Sequence, residues 1–140
     1  NVLRLIPPVL TLGIGCRKGV SESALKVAFE MFLEKLDCHK EAVCRVCSID
    51  LKAQEGGIHS FCKTYGLPFQ TFSAKELKEV KGCFASSNFV RQVTGVDNVC
   101  ERSAVLGSGG GKLIATKQTM NGITMALAMA PYTVRFQEEL

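Results

Sequence analysis

The stretch Val9-Leu10-Thr11-Leu12-Gly13-Ile14-Gly15-Cys16-Arg17-Lys18-Gly19 decides the fold class. Its first six residues form a short apolar run that ends at glycines. Such a run reads as a strand buried on both faces in a parallel sheet. Ser21 then offers a helix N-cap, and Leu25, Ala28, Phe29, Phe32 and Leu36 recur at helical spacing to about residue 36. A strand, a glycine-rich turn and a helix in that order open an α/β alternation.

The alternation continues along the chain. Residues 42–49 read as a second strand, joined to the first by one helix and so expected beside it and parallel to it. Ile58, Phe61, Cys62 and Tyr65 mark a second helix, closed by Gly66 and followed by Pro68. Residues 68–71 form a short third strand. Ser73-Ala74-Lys75-Glu76 is a capping box, with Phe72 and Leu77 placed as its hydrophobic staple. A short helix is expected at 88–94, stopped by Gly95, and another at 98–106, ended by Gly107. Residues 112–116 and 124–130 read as strands joined through Met120-Asn121-Gly122, and the Asn-Gly pair favours an antiparallel hairpin. The expected fold is one α/β domain over residues 1–140, a three-layer α/β/α sandwich. Its sheet should be mainly parallel but mixed, with about five strands. The run Gly107-Ser108-Gly109-Gly110-Gly111 is too short for an interdomain linker.

Composition narrows the function. At 46% hydrophobic residues the chain can bury one ordinary core, and polar residues with Gly122 and Pro131 interrupt its longest uncharged stretch, so no membrane span is expected. The first residues lack the basic-then-apolar layout of a signal peptide. Opening on Asn1 without a Met, the chain is expected to be a piece of a longer protein. The net charge of +4 is scattered, without the basic block that nucleic acid demands, and suits a small anionic ligand. Seven cysteines, an odd number without framework spacing, read as reduced thiols in a cytoplasmic protein.

Four segments carry candidate chemistry. In the first, Gly13, Gly15, Cys16, Arg17, Lys18 and Ser21 surround the turn after the first strand, the edge where parallel sheets bind ligands. Bare glycine backbone and a helix N-terminus favour an anion there, and Arg17 can grip a carboxylate through two parallel bonds. A tight turn with two solvated cations fits the same residues. The spacing is not GxGxxG, so a dinucleotide site has little support. In the second segment Asp50, Lys52 and Glu55 follow the second strand and bring acid, base and cation candidates to the same edge. Alternatively Asp50 caps the helix that follows and Glu55 serves its first turn. In the third, Asn98 and Glu101 have capping-box spacing, which on the residues alone is the better account of Glu101. In the fourth, Lys112 and Lys117 flank an apolar strand. Gly-Gly-Gly-Lys there is no phosphate loop, because Leu113 replaces the needed hydroxyl residue and a strand follows. Cys44 and Cys47 fall three apart on a strand and face opposite ways, so no structural metal is expected. Cys16 is the thiol whose pKa the helix terminus and Arg17 can lower, although a buried or merely exposed small thiol is the better account.

Together these segments resemble the CbiG/CobE C-terminal domain family of cobalamin biosynthesis. The matching stretches are Leu12 through Gly19, Ile49-Asp50-Leu51-Lys52 with Glu55, Val99 through Leu106, and Leu113 through Lys117, in family order across nearly the whole chain. Cys100 and Arg102 depart mildly from the small residues usual there. The resemblance implies an α/β/α domain that follows N-terminal domains of the same protein. It also implies action on cobalt-precorrin-5A, opening the ring-A lactone with release of acetaldehyde, or else noncatalytic corrinoid binding as in CobE. Corrinoid intermediates carry many carboxylate arms around a flat apolar ring, which call for cationic clamps, backbone N–H groups and an apolar floor. Lactone opening needs an activated water and a stabilised oxyanion. Glu55 or Glu101 is the candidate base, and Lys52 or the glycine-loop N–H groups the candidate oxyanion donors, with Lys117 a further ligand cation. No resident cofactor is expected, cobalt arriving only within the corrinoid.

Overall fold

A computed structural model describes residues 8–80 and 98–131. The helix expected at 88–94 and the residues Gly95-Val96-Asp97 lie outside the described residues. The described elements are β1 (Leu10–Gly15), α1 (Glu22–Leu36), β2 (Val43–Ile49), α2 (Gly56–Tyr65), β3 (Phe69–Phe72), α3 (Ala74–Lys78), α4 (Val99–Gly107), β4 (Lys112–Met120) and β5 (Ile123–Met129). Single 3-10 turns at Lys40–Ala42 and Asp50–Lys52 flank β2. The strands form one sheet in the order β3-β2-β1-β5-β4. β1 and β2 pair in parallel, as do β2 and β3, while β5 is antiparallel to both β1 and β4. Hence β1, β2, β3 and β4 run one way and β5 alone is reversed, the mixed, mainly parallel sheet that the alternation predicts.

Helices cover both faces. On one, Leu10, Leu12 and Ile14 of β1 meet Leu25, Phe29 and Phe32 of α1 and Ile58 and Phe61 of α2. Phe29 packs edge-on to Phe61 with ring centroids 5.3 Å apart. Each such side chain, once fully buried, contributes about 1.5–3 kcal/mol. On the other face Cys47 and Ile49 of β2 meet Leu77 and Val99, from α3 and α4. The capping box at Ser73 is formed, and its staple residues Phe72 and Leu77 are both buried in that cluster. Leu36, expected in the core, is 37% exposed, and Leu33 takes its place. The reason is local: Asp37 turns left-handed at φ 53° and ends the helix there, with the Cys38 N–H donating to the Leu33 carbonyl.

Two features of the sheet place everything that follows. The hairpin turn Asn121-Gly122 has φ of 53° and 81°, the double positive of a type I′ turn. That tight turn keeps the strands paired up to its edge, so β4 runs to Met120 and not only to the expected residue 116. The second feature is Gly13, at the middle of β1. A Cβ there would stand 1.8 Å from the Cys100 carbonyl oxygen and 2.9 Å from the Ala104 nitrogen. Helix α4 therefore rests its backbone directly on the backbone of β1.

Gly13→Ala tests this contact, because neither backbone can yield without moving helix or sheet. The expected loss is at least about 2 kcal/mol in a urea unfolding titration, at or beyond the upper part of the usual overpacking range. Gly56, with open space where a Cβ would stand, is the control. Gly56→Ala, in the first turn of α2, is expected to be neutral or to stabilise by up to about 1 kcal/mol.

Candidate functional site

The carboxyl ends of β1 and β2 lie side by side, because the single crossover of α1 makes them parallel neighbours. A cavity of about 270 Å³ opens there. Gly15, Cys16 and Arg17 enter it from the turn after β1. Ser48 and Ile49 enter from the end of β2, and Leu51 and Lys52 from the 3-10 turn beyond it. The opposite wall is the start of α4, namely Asn98, Val99 and Cys100. Lys117 of β4, Gly122 of the hairpin turn and Thr124 of β5 complete it. Thr124 reaches the site because β5 is antiparallel to β1, which pairs its second residue with Gly15. The Thr124 hydroxyl donates to the Gly15 carbonyl at 3.3 Å.

Arg17, Lys52 and Lys117 bring three cations to this cavity, and among the described residues no carboxylate lines it. The two nearby glutamates are engaged with backbone. Glu55 Oε1 accepts from the Gly19 N–H at 2.9 Å and so ties the glycine turn to the start of α2. Glu101, 3% exposed, uses both oxygens. Oε1 accepts from the Asn98 side-chain amide at 2.7 Å, and Oε2 accepts from the Lys117 backbone N–H at 2.7 Å. Asn98 is itself buried and left-handed at φ 50°, and its Oδ1 accepts from the Glu101 N–H at 3.3 Å. This is half a capping box. The carboxylate that would close the other half reaches the Asn98 side chain and β4 instead.

Of the residues singled out from the sequence, Gly15, Cys16, Arg17, Lys52 and Lys117 share the cavity. Gly13 lies beneath α4, and Lys18 is exposed in the turn. The Ser21 hydroxyl accepts from the Ala24 N–H at 3.1 Å, the N-cap of α1. Asp50 is exposed, and its carbonyl accepts from the Ala53 N–H to close the 3-10 turn. The start of the Asn98 helix, expected near this edge, is there, whereas Ser48 and Thr124 did not emerge as site residues. Ser48 is fully buried, its hydroxyl donating to the Ile14 carbonyl at 2.7 Å, which clips the two strand ends together. The signal for Thr124 was the unbroken apolar run Met125-Ala126-Leu127-Ala128, whose full burial marks β5 as a central strand beside β1.

The thiol of Cys16 fits the inert reading and not the lowered one. Burial pushes it up to about 11, with Lys52 pulling down and Glu55 pushing up as smaller effects. Desolvation outweighs the charges, and the thiol stays protonated at neutral pH. Cys47 is buried in the α4-side core and Cys44 is half-buried. Among the described residues no group of three or more His, Cys, Asp or Glu could hold a metal ion. No helix among them is long and apolar enough to cross a membrane.

Residues 10–128 match the family described as Cobalamin synthesis G C-terminus. The chain is 32% identical over 126 residues to a cobalt-precorrin-5A hydrolase of Priestia megaterium, a match covering 90% of this chain and 33% of the relative. Against the cobalt-precorrin-5A hydrolase of Salmonella typhimurium it is 32% identical over 127 residues, covering 91% and 36%. The chain thus spans about a third of the length of the curated relatives it matches. Among solved structures it is similar to CobE, a protein from the cobalamin biosynthetic pathway. The TM-score is 0.79 at 28% identity, over 89% of this chain and 92% of that one. The cobalamin biosynthesis protein chiG from Agrobacterium tumefaciens shares the fold, with a TM-score of 0.69 at 23% identity over 88% and 99% of the two chains.

The buried thiols set a pH dependence. Burial raises Cys16 from 9.0 to about 11, and raises Cys47, Cys62 and Cys100 to about 12. In the unfolded chain these thiols ionise near 9.0, while the folded chain keeps them neutral. Stability from this source is therefore complete below that value and lost as pH climbs from 9 through the folded values. Urea midpoints should hold level from about pH 7 to about 8.5 and fall above about pH 9, less steeply in Cys62→Ala, which removes one titration. Iodoacetamide should modify Cys16 slowly at neutral pH.

Proposed function

The chain belongs to the Cobalamin synthesis G C-terminus family, and from that premise we propose that it is the C-terminal domain of a cytoplasmic cobalt-precorrin-5A hydrolase whose cavity takes one carboxylate-bearing edge of the corrinoid. One observation carries the reading. Arg17, Lys52 and Lys117 converge on a cavity lined also by the apolar Ile49, Leu51 and Val99, and among the described residues no lining carboxylate competes with an anionic ligand. Cations beside an apolar lining fit acid arms on a flat apolar ring. A volume of about 270 Å³ holds part of a macrocycle and not the whole. The remainder then lies outside, against Leu51, which stands 60% exposed at the rim, and under N-terminal domains of a longer protein.

In the lactone opening, water adds to the ring-A ester carbonyl and the acyl C–O bond breaks to leave a carboxylate and an alcohol. The alcohol then loses its proton and becomes the C=O of acetaldehyde as its C–C bond to the macrocycle breaks, the electron pair staying on the macrocycle. Lys52, which lines the cavity, is the proposed oxyanion donor. Neither Glu55 nor Glu101 lines the cavity, so a glutamate base acts through an intervening water. Glu55, whose bond to Gly19 uses Oε1, suits that role better than Glu101, which has both oxygens engaged. Cobalt enters within the substrate, and the domain needs no resident cofactor. A second reading, a corrinoid-binding module without catalysis, is favoured by one observation: the match to CobE covers 92% of that chain, so a protein of this pathway is little more than this domain.

Arg17→Ala should weaken binding of an anionic corrinoid by about 1.5–3 kcal/mol, the worth of a charged hydrogen bond. Lys75→Ala, exposed on α3, should change it by no more than about 0.5 kcal/mol. Titrations at low and physiological salt read both, because an exposed clamp weakens with screening. Equal binding by the two variants at both salts would remove Arg17 from the site.

A further inference from the structure

β4 breaks register with β5 at two places, between Leu113 and Ala115 and again between Ala115 and Gln118, and the second bears on the cavity. Ala115 pairs with Leu127 and Gln118 with Met125, so Thr116 and Lys117 together oppose only Ala126. Two residues against one is a β-bulge, and a bulge reverses the in-out parity of everything beyond it. Ala115 packs in the core beneath α1 and α2. In a regular strand Lys117 would share that face and Gln118 would turn away. Instead the Lys35 ammonium of α1 donates to Gln118 Oε1 at 3.5 Å, and Lys117 lines the cavity with Asn98, Val99 and Cys100 of α4.

A bulge also takes a backbone N–H out of the ladder, and half-buried as it is, that group needs an acceptor. Glu101 Oε2 accepts from the Lys117 N–H at 2.7 Å. Its other oxygen is anchored by Asn98, at the helix start that forms the facing wall. One carboxylate therefore holds the two sides of the cavity at a fixed separation and holds Lys117 on the cavity side.

We propose that Glu101 is a positioning residue that sets the β4 bulge and thereby presents Lys117 to a carboxylate of the ligand. This deepens the corrinoid reading and rests on it. Lys117 touches the ligand, and Glu101 acts only through Lys117 and the α4 terminus. A base at position 101 would show itself differently, by slowing the reaction while leaving binding unchanged.

The test is a binding cycle with two probes, cobyrinic acid as a corrinoid polycarboxylate and citrate as a simple one, measured by calorimetry on the whole protein. Lys117→Ala should weaken cobyrinic acid about tenfold, and Glu101→Gln, whose amide presents a donor to one of the two donors now bound, about fivefold or more. The double variant should bind within about twofold of Lys117→Ala, because the second change acts through the first. Losses that multiply in the double variant overturn the inference. So does a folded Glu101→Gln that binds like the unaltered protein. Hydrogen exchange at the Lys117 amide reads the contact directly and does not need a variant that folds. Protection like that of β5 amides in the unaltered protein supports it, and exchange at the rate of an exposed loop overturns it. Citrate binding with the same pattern of losses, without cobyrinic acid binding, defeats the corrinoid reading and leaves the positioning intact. Binding of neither probe overturns both.

Discussion

Glu101 carries the constraint on which the cavity depends. Its carboxylate lies between the start of α4 and the irregular stretch of β4, with both oxygens accepting at 2.7 Å. Its charge is almost wholly out of water, and a buried charge is tolerated only when hydrogen bonds replace its hydration. Here two donors do so, and each donor gains in turn. The Asn98 amide is buried with it, and the Lys117 N–H has left the strand ladder. Without the acid both donors are stranded, at about 1–3 kcal/mol apiece.

The close seat of α4 on the sheet makes that arrangement possible. Gly13 lets the helix backbone settle on β1, and Gly107 lets its far end settle against Cys47, whose Sγ would stand 2.3 Å from any Cβ. With both ends so low, the first turn of α4 comes within hydrogen-bond reach of β4, although β5 lies between β1 and β4. The cations then follow from topology. Parallel β1 and β2 deliver Arg17 and Lys52 to one edge, and the bulge delivers Lys117 from across the sheet. Glu55 and Glu101 offset this positive charge from behind while their oxygens stay on backbone and amide donors. The cavity wall keeps its attraction for anions, and the cations do not repel each other without compensation.

Much of this was legible in the sequence. The apolar run before Gly13 gave β1, the Asn121-Gly122 pair gave the hairpin, and Ser73 with Glu76 gave the start of α3. Each is a local rule with a local cause, and the loops after β1 and β2 share the ligand edge for a topological reason. Less was legible where the cause is a tertiary contact. A β-bulge has no reliable signature in one sequence, so Lys117 was a candidate ligand cation at the flank of an apolar strand with no visible route to the cavity. Glu101 read as a helix cap because cap spacing is visible, while its bond to a residue sixteen positions on is not. The Cys16 thiol read better as inert than as activated, but the cause was hidden: charge can be read from neighbours along the chain, whereas desolvation comes from the fold, and here it is the larger effect.

The same comparison bears on why position 101 holds an acid at all. For stability alone, an apolar residue packed between helix and sheet would serve about as well as a buried ion, and often better. An apolar residue could not accept the N–H that the bulge between Ala115 and Gln118 releases, which favours closing that bulge. Regular register would carry Lys117 round to the face of Ala115, under α1 and α2, where an ammonium has no place in the apolar core. The carboxylate, the bulge and the lysine are therefore consistent only as a set. Because their combined effect is to put a cation on the cavity wall, a ligand that carries negative charge is the simplest reason for a fold to keep all three.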